Sequence, residues 1–147
     1  MIDKTSIIYE INYPKEKDFF KLFESTGWNE EYHLNTDELY SSLSKSYYTV
    51  SAYDREKLIG FGRIVSDGIL HAMIYEMIVY PEYQRKGIGA KILEMLVQKC
   101  LSDNIRDIQL FCAKGKRAFY EKHGFTARPD DAPGMEYNFK NSNGEIK

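Results

Sequence analysis

The residues best suited to chemistry in this chain gather in one stretch, Tyr80-Pro81-Glu82-Tyr83-Gln84-Arg85-Lys86-Gly87-Ile88-Gly89-Ala90. Before it runs Met73-Ile74-Tyr75-Glu76-Met77-Ile78-Val79, an apolar and partly β-branched segment with the character of a buried strand. After it, Ile88, Ile92, Leu96 and Cys100 fall four apart with Leu93 and Val97 beside them, which is one face of a helix. A short loop with two basic residues and two glycines therefore joins a strand to a helix. Such a junction aims backbone N–H groups and the positive end of a helix at one spot, and that spot suits an anion, most often a phosphate. Two familiar nucleotide motifs do not fit. A P-loop needs Lys followed by Ser or Thr after its last glycine, where this chain has Gly89-Ala90-Lys91. A dinucleotide fingerprint needs a glycine at position 92, which is Ile92.

Glu76 is the other residue that asks for an explanation. A carboxylate inside an apolar strand requires an ion pair, a hydrogen bond or a catalytic role, unless it points to a solvated face. His33, His71 and His123 have no triad-like context and are expected as surface or capping residues. Cys100 and Cys112 have neither disulfide-framework nor metal spacing, so both are expected as reduced core residues, and no metal site is expected.

The elements that must position these residues follow from pattern. Ser6–Ile11 predicts a first strand, and Phe19, Phe20, Leu22 and Phe23 a helix that stops near Gly27. Residues 28–33 have no clear period and are expected as a loop. Asn35 or Thr36 caps a second helix with Asp37 and Glu38 in its first turn. Tyr47–Tyr53, Leu58–Val65 and the strand through Val79 form three consecutive antiparallel strands, joined at Asp54–Lys57 and at Asp67-Gly68. A fifth strand is expected over Ile105–Cys112 and a short helix over Lys116–Lys122, ended by Gly124. Phe125–Ala127 and Met135–Phe139 are expected as closing strands, and the polar tail from about residue 140 to 147 as frayed. The order β-α-α-β-β-β-α-β-α-β-β is α+β, or mixed α/β, with an antiparallel meander before one β-α-β crossover.

The chain of 147 residues is long enough for one domain with its own core, and a single domain over 1–147 is expected. A net charge of −2 gives no general argument for nucleic acid. No apolar run of about 18 residues occurs, so no membrane partner is expected. The first residues, Met1-Ile2-Asp3-Lys4-Thr5, lack a signal-peptide pattern, which with the reduced thiols implies a cytoplasmic protein. Twelve tyrosines and eight phenylalanines suit a site walled by aromatic rings.

Gln84-Arg85-Lys86-Gly87-Ile88-Gly89 resembles the [QR]-x-x-G-x-[GA] signature of the GNAT superfamily of acyl-CoA-dependent N-acetyltransferases. The resemblance extends to Val79-Tyr80-Pro81-Glu82-Tyr83 before it and to Phe119-Tyr120-Glu121-Lys122-His123-Gly124-Phe125 after it. The element order matches that fold across essentially the whole chain: a central mixed, mostly antiparallel sheet flanked by helices. The resemblance implies acetyl-CoA as co-substrate, with its pyrophosphate at the N–H groups of Arg85, Lys86, Gly87, Ile88, Gly89 and Ala90 beside Gln84, and glycines allowing close approach. It also implies that the pantetheine arm pairs with the backbone of Met77, Ile78 and Val79. Relatives of this kind are often dimers, which makes a homodimer possible.

Acetyl transfer to an amine needs a neutral nucleophile, donors for a tetrahedral oxyanion and a proton for the leaving thiolate. By resemblance, a backbone N–H of Ile78 or Val79 polarises the thioester, and Tyr120 is the acid toward the CoA sulfur. A phenol with an ordinary pKa near 10 matches a thiolate of similar basicity. Glu76 is the candidate base. One departure stands out: Ala113 occupies the position where many relatives have a CoA-contacting Asn, with Lys114 and Lys116 as basic neighbours. The acceptor wall is expected at Trp28, Glu30 and Tyr32, with Glu31 and Tyr75 nearby, where rings and carboxylates attract a cationic amine. The turn Asp130–Met135 would add to its rim. The expected activity is direct transfer in a ternary complex to a primary amine, more readily of a small molecule than of a protein. A protein N-acetyltransferase, an acyl-CoA sensor without catalysis and a generic nucleotide binder are the competing readings.

Overall fold

The computed structural model describes residues 6–139. These fall into two compact units, one ending at Leu110 and the other beginning at Phe111. The first unit is a five-stranded sheet in the order β1-β2-β3-β4-β5 with helices on both faces. Its strands are β1 (Ile7–Glu10), β2 (Tyr48–Asp54), β3 (Lys57–Ser66), β4 (His71–Val79) and β5 (Asp107–Leu110). The first four pair antiparallel; β5 runs parallel to β4 after the crossover through α4 (Ile88–Ser102). Mixed α/β architecture with a mostly antiparallel sheet is thus what the pattern predicted.

One face of the sheet is covered by α1 (Glu16–Glu24) and α3 (Thr36–Leu43). Their Phe19, Leu22, Phe23, Leu39 and Leu43 pack with Leu58, Phe61 and Ile78 of the strands. Phe19 and Phe61 meet edge to face at 4.8 Å, a geometry that aromatic quadrupoles favour. The other face takes α4, whose buried Ile92 and Leu96 lie against Gly60 and Gly62 of β3. Glycine is required there, because a Cβ on Gly62 would come within 2.8 Å of Ile92 Cγ2.

Local chemistry sets the boundaries. Asn35 caps α3 in a capping box: its side chain accepts from the Glu38 N–H, and the Glu38 carboxylate accepts from the Asn35 N–H. Helix α4 ends with Asn104 at φ 61 and the Ile105 N–H donating to the Cys100 carbonyl, so the predicted break at Asp103-Asn104 is a left-handed helix stop. Residues 28–33 are not a bare loop. Asn29–Tyr32 forms the short helix α2, held by buried Asn29, whose amide bonds both the N–H and the carbonyl of Leu34. That clamp repeats backbone pairing with a side chain and leaves no hydrophobic period to detect.

In the second unit, α5 (Arg117–Lys122) is the regular element. Phe125–Ala127 and Met135–Phe139 are not strands, contrary to the expectation from their β-branched and aromatic content. Met135, Tyr137 and Phe139 are exposed, so the alternation of apolar and polar residues has no apolar face to bury there. Cys112 also departs from expectation. It follows β5 in irregular backbone and is exposed, whereas Cys100 is buried on α4; both are free thiols. The polar tail lies outside the described residues.

Candidate active site

Strand β4 reaches the loop through a 3-10 turn, Pro81–Tyr83. Tyr83 is buried, and its hydroxyl donates to Asp54 Oδ2 at 2.7 Å, in the β2–β3 turn. Lys57 of the same turn lies 3.6 Å from Glu82 and over the Tyr80 and Tyr83 rings. Gln84 Nε2 donates to the Val79 carbonyl at 2.8 Å, folding the loop back on its own strand. Past Gln84 the backbone turns left-handed at Arg85 (φ 62) and again at Gly87 (φ 84), with Lys86 between. Alternation of this kind curls successive N–H groups toward a common centre. Among the described residues, the N–H groups from Arg85 through Ala90 have no acceptor; the first helical bond of this end is Lys91 N–H to Gly87 O. Gly87 stands at the N-cap without a capping side chain, and no acid occupies the first turn of α4. The helix end is therefore unsatisfied and flanked by Arg85, Lys86 and Lys91, which is what an anion requires.

Strand β4 is irregular where Glu76 sits. Phe61 pairs with Ile78 and Arg63 with Tyr75, so Gly62 alone faces both Glu76 and Met77. This is a β-bulge, with Glu76 at φ 50. The Glu76 side chain is neither solvated nor unpartnered: Oε1 accepts from Arg63 Nε at 2.7 Å, and both side chains are largely buried. Arg63 Nη1 also donates to Ser42 O at 3.0 Å and to Ser46 Oγ at 3.2 Å, at the end of α3. On the other side of β4, pairing with β5 stops at Ile74. From Tyr75 to Val79, β4 thus has a strand partner only on its β3 side among the described residues. The Tyr80 N–H donates to Ile59 O of β3 at 3.0 Å. Because successive N–H groups of a strand alternate sides, the Val79 N–H faces the side that β5 has left.

The residues expected to receive the acceptor lie at the surface. Trp28 is 38% exposed and packs edge-on against Phe23, Tyr32 is 63% exposed, Glu30 is exposed in the first turn of α2, and Tyr75 is 38% exposed. His33 caps α2 with a left-handed backbone, and His71 pairs with Asp107, so neither histidine has a triad partner arrangement.

In the second unit, Tyr120 has an identifiable local reason for its position. The Phe125 N–H donates to Tyr120 O and the Gly124 N–H to Glu121 O, with Gly124 at φ 95. This closes α5 in a Schellman turn, and the Tyr120 and Phe125 rings meet at 6.0 Å across it. The spacing of Tyr120 from Gly124-Phe125 is accordingly in part a helix-stop requirement. Burial, with the nearby Cys112 adding, holds the Tyr120 phenol above the usual tyrosine range, so its proton is retained at neutral pH.

The Arg63–Glu76 pair, the Ser46 contact and the bond between Tyr83 and Asp54 are not visible in the sequence. Counting outward from Asp67-Gly68 would set Arg63 opposite Ala72, four residues from Glu76; only the wider turn that pairs Ser66 with Ala72 brings Arg63 opposite Tyr75 and within reach of Glu76.

These features match those of a known family. The family model for the acetyltransferase (GNAT) domain matches residues 15–136, and the chain belongs to that family; it is an N-acetyltransferase. It is 29% identical over 128 residues to an uncharacterized N-acetyltransferase, ycf52, of Gracilaria tenuistipitata var. liui, covering 84% of this chain and 69% of that one. It is 41% identical over 120 residues to a chloroplastic GCN5-related N-acetyltransferase 3 of Arabidopsis thaliana, covering 63% of this chain and 50% of that one. Among solved structures, a GNAT-family acetyltransferase of Streptococcus pneumoniae superposes with a TM-score of 0.74 at 27% identity, over 92% of this chain and 99% of the other. A predicted acetyltransferase of Clostridium acetobutylicum, solved with acetyl-CoA, shares the fold with a TM-score of 0.65 at 18% identity, over 88% and 96%. No helix among the described residues is long and apolar enough to cross a membrane, and no group of three potential metal ligands occurs among them.

Proposed function

We propose that this protein transfers the acetyl group of acetyl-CoA directly to a primary amine of a small molecule. The observation that carries the reading is the run of unsatisfied N–H groups from Arg85 to Ala90 directly after a strand end left open on one side. The run suits a pyrophosphate, with Gln84 tying the loop to β4. The open backbone of Met77, Ile78 and Val79 suits an amide-bearing arm. The Val79 N–H is the donor best placed for the thioester carbonyl, because that of Ile78 faces β3.

In the proposed mechanism Glu76 takes a proton from the acceptor ammonium, directly or through water. Its Oε1 is occupied by Arg63, while Oε2 has no hydrogen bond among the described residues. The neutral amine attacks the thioester carbon, the oxyanion is stabilised by the Val79 N–H, and the C–S bond breaks. The resemblance assigns to Tyr120 the protonation of the departing thiolate, a role its raised phenol can fill because it stays protonated; the second proton, shed by the attacking nitrogen as the amide forms, restores the phenol. Trp28, Tyr32 and Glu30 would receive the amine by ring contact and charge. Two free thiols suit a reducing compartment; we place the chain in the cytoplasm, although the name of its plant relative indicates a chloroplast. A homodimer is part of the proposal and is tested by sedimentation.

The deciding experiment measures thiol release from acetyl-CoA across primary amines such as tyramine, spermidine and glucosamine 6-phosphate, and across lysine peptides. Turnover with a small amine supports the reading, and turnover only with peptides replaces it with a protein acetyltransferase. Tight acetyl-CoA binding with no turnover on any acceptor overturns catalysis in favour of a sensor.

A further inference from the structure

We propose that Arg63 is a positioning residue for Glu76, and that through it the end of α3 sets the orientation of the carboxylate. This rests on the reading that Glu76 serves as base. Three observations converge on it. Glu76 sits in a left-handed backbone at the bulge, a conformation that an L residue holds only when its surroundings fix it. The fixing group is Arg63, whose Nε meets Oε1 at 2.7 Å from the strand directly alongside. The guanidinium is itself held at a second point, with Nη1 donating to the Ser42 carbonyl and the Ser46 hydroxyl.

A planar fork with two anchored edges is a rigid strut, which a flexible ammonium cannot reproduce. The strut leaves Oε2 as the oxygen without a hydrogen bond among the described residues. It also spans three pieces of chain: the bulge of β4, the middle of β3 and the last turn of α3 with the turn that follows it to Ser46. A displacement of that turn would therefore be felt first at the carboxylate. The loop at Arg85–Ala90 has no bond to any of these groups, so the strut can be altered without touching the anion site.

The test uses the full chain and four variants, Glu76→Gln, Arg63→Met, Arg63→Lys and the double Glu76→Gln/Arg63→Met. Turnover is followed as thiol release with the fastest amine of the panel, or as acetyl-CoA hydrolysis if none reacts, and acetyl-CoA binding is titrated separately. Glu76→Gln is expected to lower kcat by about 100-fold, the usual scale for a lost general base. Arg63→Met should lower it by about 30-fold and Arg63→Lys by about tenfold, with acetyl-CoA Kd within about twofold of wild type throughout. The double variant should be no slower than Glu76→Gln alone, because groups acting as a unit do not add. A double variant slower by the product of the two single effects overturns the inference, as does an Arg63→Lys protein with unchanged kcat. Loss of acetyl-CoA binding in step with turnover overturns it as well, since a merely structural role predicts that. If Arg63→Met does not fold, Arg63→Lys with Glu76→Gln/Arg63→Lys makes the same comparison. A Glu76→Gln protein with full turnover removes the base reading itself, and that outcome is distinct from additivity.

Discussion

Replacing Gly62 by alanine probes the bulge from the side opposite Glu76. The added Cβ would lie 2.8 Å from Met77 Sδ, 2.8 Å from Ile92 Cγ2 and 3.0 Å from Leu96 Cδ1, inside the roughly 3.5 Å at which carbon contacts become favourable. Ile92 and Leu96 are fully buried on α4 and cannot move alone; Met77 has the only flexible side chain of the three. Either Met77 swings off the bulge or α4 withdraws from the sheet. Overpacking of this order costs about 1–3 kcal/mol, against which alanine recovers about 0.5–1 kcal/mol of the entropy that glycine loses in a strand. A net loss of about 1–2 kcal/mol corresponds to a fall in Tm of about 2–8 °C for a chain of this size. Because Met77 opens the segment proposed for the pantetheine arm, KM for acetyl-CoA should rise by about fivefold or more, about 1 kcal/mol. Calorimetry and initial rates at varied acetyl-CoA check both. A variant with unchanged Tm and KM would refute the reasoning, since it would show that the site accommodates a methyl group without disturbing β4.

Three further outcomes are expected. Gly87→Ala meets no atom within 4 Å, so its whole cost is the left-handed backbone, about 1–2 kcal/mol; titration should show acetyl-CoA binding weakened by about five- to thirtyfold with kcat little changed. Tyr120→Phe should lower kcat while leaving acetyl-CoA Kd near wild type, and unchanged kcat in rate assays would remove the phenol from the mechanism. Asp67 Oδ1 accepts from the N–H groups of Ile69, Leu70 and His71, and these bonds hold its carboxyl below the ordinary aspartate range. A depressed carboxyl stabilises the fold above its ordinary pKa of about 4 and loses that effect as pH falls further. The Tm gap between wild type and Asp67→Asn should therefore be widest at neutral pH and close on acidification.

Where the sequence was legible, a short-range rule was at work. The meander was visible because Asp54–Lys57 and Asp67-Gly68 are turn signals between β-branched runs, and α4 because Ile88, Ile92, Leu96 and Cys100 repeat at helical spacing. The anion loop was legible for the same reason, as glycines and bases between a strand and a helix. What escaped depends on partners distant in sequence. The bulge arises from Gly62 facing two residues of another strand, and nothing local to Glu76 announces it. The Asn29 clamp substitutes side-chain for backbone bonds and erases the periodicity that would mark α2. At Phe125–Ala127 and Met135–Phe139, strand-forming residues were visible but pairing partners were not, and propensity alone does not make a strand.

The bond between Tyr83 and Asp54 changes what the β2–β3 hairpin tolerates. Tips such as Arg55-Glu56 are ordinarily where tags, reporters or split points are introduced with little penalty. Here that tip braces the approach to the anion loop from the far end of another hairpin, so a fusion placed there would loosen the loop without altering any residue of it. The turn at Ile69-Leu70, whose own bonds close on Asp67, is the safer point of attachment. Labelling the protein at each position in turn would separate the hairpin that merely connects strands from the one that holds the loop in shape.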